Sequence, residues 1–184
     1  MNDHPGVGSI VELKIRAVKK GDTEKLTAFF QEVISHTFLN EGLGHLHDDI
    51  ADEINDKLEK VRNALKETPS IKFFLAEDNE TIVGTVSINP RGEFSKKHLP
   101  LDSQEVPEIA SLYIKPAYQS MGIGKMLLHH ALSVLKESGY QAYILDSGYK
   151  KAQKIWQHLL GEPKIILKNF WGSGNDHMFW YQRL

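Results

Sequence analysis

Residues 118–132 read YQSMGIGKMLLHHAL. Gln119, Gly122, Gly124 and Lys125 stand just ahead of a run of strong helix formers. Glycine lets the backbone approach a ligand closely and take conformations closed to other residues. The free amides of a first helical turn, together with the helix dipole, favour a phosphate or pyrophosphate. Lys125 adds a positive charge. A P-loop would need Ser or Thr after the lysine and a wider glycine spacing, but Met126 follows Lys125. A dinucleotide fingerprint would need glycine at position 127, which is Leu127. What remains is Gln119-x-x-Gly122-x-Gly124 between a strand and a long helix. Its plain alternative is a tight turn with no ligand.

The elements that position this turn follow from periodicity. Residues 11–18 alternate apolar and charged as a half-buried strand. Asp22 is placed to cap a helix running to about Phe38, with Leu26, Phe29, Phe30, Val33 and Ile34 on one face. A second, acidic helix spans about Asp48 to Lys66. Residues 72–78 and 81–89 read as two strands joined by a tight turn at Asn79. Residues 90–106 read as a loop. Residues 108–115 form a strand that Pro116 ends. The helix from Gly122 to about Ser138 stops at Gly139. A strand at 141–146, a helix from Lys150 to Leu160 and strands at 164–170 and 177–183 complete the order β α α β β β α β α β β. Only the middle is a β-α-β crossover, expected to be parallel and right-handed. The expected fold is mixed α/β: a mostly antiparallel twisted sheet of about seven strands, with helices on both faces.

With this order in hand, 108-EIASLYIKPAYQSMGIGKMLLHHALSVLKESGY-140 resembles the central motif of the GNAT superfamily of acyl-CoA-dependent N-acyltransferases. The element order over roughly residues 11–183 fits as well. The resemblance implies that the amides of Ser120, Met121, Gly122, Ile123, Gly124 and Lys125, with Gln119, hold the pyrophosphate of acetyl-CoA. It implies that the backbone of Leu112, Tyr113 and Ile114 pairs with the pantetheine arm as an added strand would. It also implies that strands 108–115 and 141–146 splay apart around the thioester.

Acyl transfer to an amine needs a base for the ammonium, a donor for the developing oxyanion and a proton for the leaving thiolate. Glu108 begins the central strand. In histone-acetylating members a catalytic glutamate stands eleven residues before the motif glutamine, the position that Glu108 holds relative to Gln119. The plain alternative is a glutamate at a strand end, and Glu105 is a nearby rival. The oxyanion donor would be the amide of Leu112 or Tyr113. The usual acid is a tyrosine in Asn-x-x-Ala-x-x-x-Tyr. Here 149-YKKAQKIW-156 keeps Ala152 but has Tyr149 for the asparagine and Trp156 for the tyrosine. An indole N–H is not a useful proton donor. Tyr149 is therefore the candidate acid, with Ser147 or water as substitutes, and Trp156 is expected to pack against coenzyme or core.

Composition narrows the classes. The 184 residues suit one domain, expected over 10–184 after a flexible stretch at 1–9. A net charge of −2 gives no basic footprint for nucleic acid. No run of about 20 apolar residues spans a membrane. The first residues lack a signal-peptide pattern, so the expected location is cytoplasmic. Cysteine is absent, which excludes disulfides, thiolate zinc and an S-acyl enzyme. His36, His45, His47, Asp48 and Asp49 crowd one loop but match no established ligand motif, so no metal is expected. Phe170, Trp171, Phe179, Trp180 and Tyr181 read as core and pocket wall. The acidic helix reads as a solvated face that could also steer a cationic amine toward the cleft. The expectation is a cytoplasmic GNAT-like N-acetyltransferase, monomer or homodimer, that binds acetyl-CoA and passes the acetyl group directly to a primary amine. A non-catalytic acyl-CoA sensor, a nucleotide-binding protein and a pure interaction module are the rivals.

Overall fold

Strand β1 (Leu13–Ala17) pairs antiparallel with β2 (Lys72–Asp78), and β2 with β3 (Thr81–Asn89). The β2–β3 turn is tight because Asn79 and Glu80 both take positive φ, 48° and 66°, the geometry that matches strand twist in a hairpin. β3 pairs antiparallel with β4 (Glu108–Ile114). β5 (Ala142–Ser147) lies parallel to β4, and β7 (His177–Arg183) returns between β5 and the edge strand β6 (Ile165–Leu167). The sheet order is β1-β2-β3-β4-β5-β7-β6. A computed structural model provides these coordinates and describes residues 13–102 and 105–184. The expected flexible stretch at 1–9 lies outside the described residues.

Among the described residues five α-helices cover the sheet: α1 (Thr23–Asn40), α2 (His47–Ala64), α3 (Glu93–His98), α4 (Ile123–Glu137) and α5 (Lys150–Leu160). In α4 the residues Ile123, Leu127, Leu128, Ala131 and Leu135 recur at three- and four-residue spacing, and all are buried. They pack on Val83, Val86, Ile88, Ile109, Tyr143 and Leu145, with Trp156 of α5 and Trp180 of β7 in the same cluster. Full burial of each leucine, isoleucine or valine here contributes about 1.5–3 kcal/mol. The other face carries α1 and α2 over Phe73, Leu75 and Ile82. Ile144, two residues from neither Tyr143 nor Leu145 but between them, points to this second face by strand alternation. There it joins Leu99, Val106 and Phe179 in a separate cluster with Phe94 of α3. No helix among the described residues is long and apolar enough to cross a membrane.

Four local expectations change. Asp22 does not cap α1. Its carboxylate instead accepts from Arg16 Nη1 at 2.7 Å, Arg16 Nη2 at 2.8 Å and the Lys19 amide at 2.7 Å. The acidic helix begins one residue early, at His47, and ends at Ala64 rather than Lys66. The 90–106 loop contains α3, whose first turn is held by Glu108 from β4 as well as by its own Ser95 and the Glu93–Lys96 pair. The strand expected over 164–170 is only Ile165–Leu167, because Asn169 turns the chain at φ 52°.

Candidate active site

The glycine turn opens α4. After β4, Pro116–Tyr118 form one 3-10 turn, then Ser120 and Gly122 both take left-handed φ, 64° and 81°. Alternation of this kind turns successive amides into one concavity, an anion-binding nest. The first intrahelical bond runs from Met126 N–H to the Gly122 carbonyl, 3.1 Å. Among the described residues, the amides from Ser120 to Lys125 donate to no protein acceptor, and no side chain caps the helix. Six adjacent free donors at the N-terminus of a 15-residue helix fit a pyrophosphate. The Lys125 side chain is exposed beside them. A Cβ on Gly124 would meet only Leu112 Cδ2 at 3.6 Å and Ile114 Cγ1 at 3.8 Å, so protein packing alone does not require glycine there. Gln119 closes the turn by donating from Nε2 to the Ile114 carbonyl, 3.3 Å.

The parallel strands touch at one place. Among the described residues Glu108 and Ile144 are the single paired position, and the Ile144 amide donates to the Pro107 carbonyl at 2.9 Å. Beyond it β4 and β5 diverge, which is the expected splay. A bulge in β4 sharpens the divergence. Ser87 pairs with Ala110 and Thr85 with Tyr113, so Ser111 and Leu112 together oppose Val86. Ser111 is left-handed at φ 54°, and its strain is held by two β3 hydroxyls. Thr85 Oγ1 donates to the Ser111 carbonyl at 2.8 Å, and Ser87 Oγ lies 3.0 Å from Ser111 Oγ. The direction of the amides follows. Lys115 N–H donates to Val83 of β3 at 2.8 Å. Amides alternate between the edges of a strand, so Tyr113 also faces β3 while Leu112 and Ile114 face the gap. The sequence left Leu112 and Tyr113 open as oxyanion donors; the backbone turns Leu112 toward the gap.

Glu108 stands at the apex of the splay, half-buried. Its Oε1 accepts from the Gly92 amide at 2.9 Å and from Ser95 Oγ. The carboxylate therefore caps α3, a contact the sequence did not show. Tyr149 sits at the start of α5 on the α1–α2 side of the sheet, ring to ring with Phe38 at 5.9 Å. Its hydroxyl adjoins that of Tyr113, which donates to Glu53 Oε1 of α2 at 2.9 Å. Burial, then the charge of Glu53, pushes the Tyr149 hydroxyl above the ordinary phenol range. The same two causes raise Tyr113. Trp156 is buried in the α4–α5 core cluster, which decides between the two packing roles expected for it. The turn residues and Leu112–Ile114 are brought together around the mouth of the splay. Glu108 lies at its apex, and Tyr149 is held beside Tyr113 on the α1–α2 side.

Two further contacts had no sequence signal. Glu41, at the end of α1, accepts from the amides of Lys150 and Lys151 at 3.1 and 3.0 Å and so caps α5 across the splay. Asp146 of β5 and His177 of β7 pair at 2.7 Å. A cavity of about 560 Å³ opens elsewhere, at the far end of α4, between Lys72, Asn89, Pro107 and Tyr140. None of the glycine-turn residues lines it.

The family model described as acetyltransferase (GNAT) family matches residues 34–161. The chain belongs to the GNAT acetyltransferase family. No curated protein sequence matches it. Among solved structures, it resembles the PaiA N-acetyltransferase from Thermoplasma acidophilum in complex with coenzyme A. The TM-score is 0.68 at 18% identity, over 95% of this chain and 100% of that one. It also resembles YncA from Salmonella typhimurium with its cofactor acetyl-CoA, with a TM-score of 0.66 at 16% identity, over 94% of each. A GCN5-related N-acetyltransferase from Kribbella flavida gives a TM-score of 0.64 at 15% identity, over 94% and 98%. At these identities the likeness is one of fold.

Proposed function

We propose that this acetyltransferase binds acetyl-CoA on the glycine turn and passes the acetyl group directly to a primary amine in a ternary complex. The observation that carries this reading is the row of free amides from Ser120 to Lys125, set beside the diverging strands. The pyrophosphate takes those amides and Lys125. The pantetheine arm lies along Leu112–Ile114, pairing with the amide and carbonyl groups that β5 has left behind. The Leu112 amide, aimed into the gap, receives the thioester oxygen as it becomes an oxyanion.

In this reading Glu108 takes the proton from the attacking ammonium. Oε2 is the oxygen for that task, since the α3 cap occupies Oε1. Tyr149 serves the leaving sulfur as a hydrogen-bond donor rather than as a full acid. Its hydroxyl is held above the phenol range, whereas a thiolate takes up a proton near about 8.5, so complete transfer from the phenol runs uphill. The thiolate can leave with a hydrogen bond and collect its proton from water.

The test is release of coenzyme A, read with a thiol dye, from acetyl-CoA and a panel of primary amines. The protein has no cysteine, so every new thiol is product. Amine-dependent release that saturates in both substrates supports the reading. Saturable acetyl-CoA binding with no amine-dependent release across the panel would favour an acyl-CoA sensor instead.

A further inference from the structure

Asp146 lies two residues beyond Ile144, the position at which β5 pairs with β4, and so on the same face of the sheet. The rise of a strand puts it roughly 7 Å past the apex of the splay. Its Oδ2 pairs with His177 Nε2 at 2.7 Å. The other ring nitrogen, Nδ1, accepts from the Trp171 indole N–H at 3.0 Å. An indole N–H only donates, so Nδ1 carries no proton, and the proton of the neutral ring sits on Nε2, directed at Asp146. Trp171 thus sets the tautomer of His177, and His177 sets the orientation of Asp146. Space around this relay is tight: a Cβ on Gly148 would lie 2.7 Å from Trp171 Nε1 and 3.2 Å from His177 Nδ1.

The other oxygen of Asp146, Oδ1, has no donor among the described residues, and the side chain is 27% exposed. One oxygen is fixed and the other is open. Aromatic rings surround His177. Phe94 stands 4.9 Å and Phe179 5.0 Å from His177, and Phe170 packs on Trp171 at 4.8 Å. Trp171 and Phe170 are 59% and 40% exposed. A purely structural pair joining β5 to β7 would account for Oδ2. It leaves Oδ1 partly exposed and without a donor among the described residues.

We infer that Asp146 Oδ1 holds the ammonium of the acceptor, and that the acceptor is a primary amine on an apolar, preferably aromatic, body. The inference rests on the acetyl-transfer reading and deepens it. Carboxylate and ring faces both favour a cation, while Phe170, Trp171 and Phe94 supply apolar wall for the rest of the molecule. Asp146 touches the substrate; His177 is a positioning residue.

The test titrates phenethylammonium, and 2-phenylethanol as its neutral match, into protein loaded with coenzyme A. Wild type is compared with D146N, H177Q and H177L by calorimetry, with melting curves to confirm folding. Wild type is expected to prefer the ammonium to the alcohol. D146N should lower ammonium affinity tenfold or more and leave coenzyme A affinity within twofold. H177Q, whose amide N–H can replace Nε2–H, should keep most of the affinity that H177L loses. Equal ammonium binding by wild type and D146N, or no preference for ammonium over alcohol in wild type that binds coenzyme A, overturns the role of Asp146 and leaves the parent reading standing. Failure of wild type to bind coenzyme A overturns both.

Discussion

Glu108 is asked to do two things, and they can be separated. Its Oε1 caps α3 through the Gly92 amide and Ser95 Oγ, and its Oε2 is assigned the ammonium proton. Glu108→Gln keeps a neutral acceptor at the cap but removes the charge. A hydrogen bond to a charged group contributes about 1.5–3 kcal/mol and a neutral one about 1 kcal/mol, so the cap should weaken by on the order of 1 kcal/mol. Loss of a positioned base costs about 10²–10⁴ in rate. Ser95→Ala removes one cap donor and leaves the carboxylate, with a similar stability loss of about 1 kcal/mol. The assay is coenzyme A release at saturating acetyl-CoA across pH, beside urea denaturation of each variant. Glu108→Gln should lose 10²-fold or more in kcat at neutral pH, flatten the rising limb of the pH–rate profile and leave acetyl-CoA binding nearly intact. Ser95→Ala should match its stability loss while keeping kcat within a few-fold. If both variants lose the same stability and neither changes the profile, Glu108 is a helix cap and not the base.

Two further expectations concern the scaffold. Arg16 holds both Glu77, at 2.5 and 2.8 Å, and Asp22, at 2.7 and 2.8 Å, with all three side chains mostly buried. Its hydrogen bonds keep both carboxyls below their ordinary values. Their stabilisation is therefore full above the unfolded pKa values, near about 4, and is lost as pH falls through the lower folded ones. Arg16→Met should cost about 3–5 kcal/mol at pH 7. The gap from wild type should narrow in denaturation at acid pH, and a gap that widens there would contradict the assignment. Gly84 of β3 pairs with Ile114 of β4 under α4, where a Cβ would come 2.9 Å from both Ile114 Cδ1 and Leu127 Cδ1. Gly84→Ala should overpack this contact by about 1–3 kcal/mol and weaken acetyl-CoA binding by moving the helix off the strand. An unchanged urea midpoint would show that the contact relaxes freely.

The parts of this fold that were legible in the sequence are those whose signal is local. The strand 108–114 alternates, Pro116 stops it, and Gly122 at φ 81° starts α4 where the glycine spacing put it. The splay was implied only by the family resemblance, and the single Glu108–Ile144 pair bears it out. Other features are tertiary and left no local trace. Helix α3 has six residues and depends on Glu108, which lies far along the chain from Gly92. The left-handed Ser111 is imposed by hydroxyls of Thr85 and Ser87 on a neighbouring strand. Asp146 and His177 are 31 residues apart, so no spacing rule joins them. Asp22 suited a helix cap, but the guanidinium of Arg16 outbid the helix amides for its carboxylate.

The central claim is that the glycine turn holds the pyrophosphate of acetyl-CoA. Its most direct test is calorimetric titration of the protein with acetyl-CoA and, separately, with ATP, repeated on Gly124→Glu. The account predicts saturable binding of acetyl-CoA, much weaker binding of ATP, and loss of acetyl-CoA binding in the variant, because the new carboxylate faces the phosphates beside Leu112 and Ile114. Equal binding of ATP, or acetyl-CoA binding that survives in the variant, would contradict it.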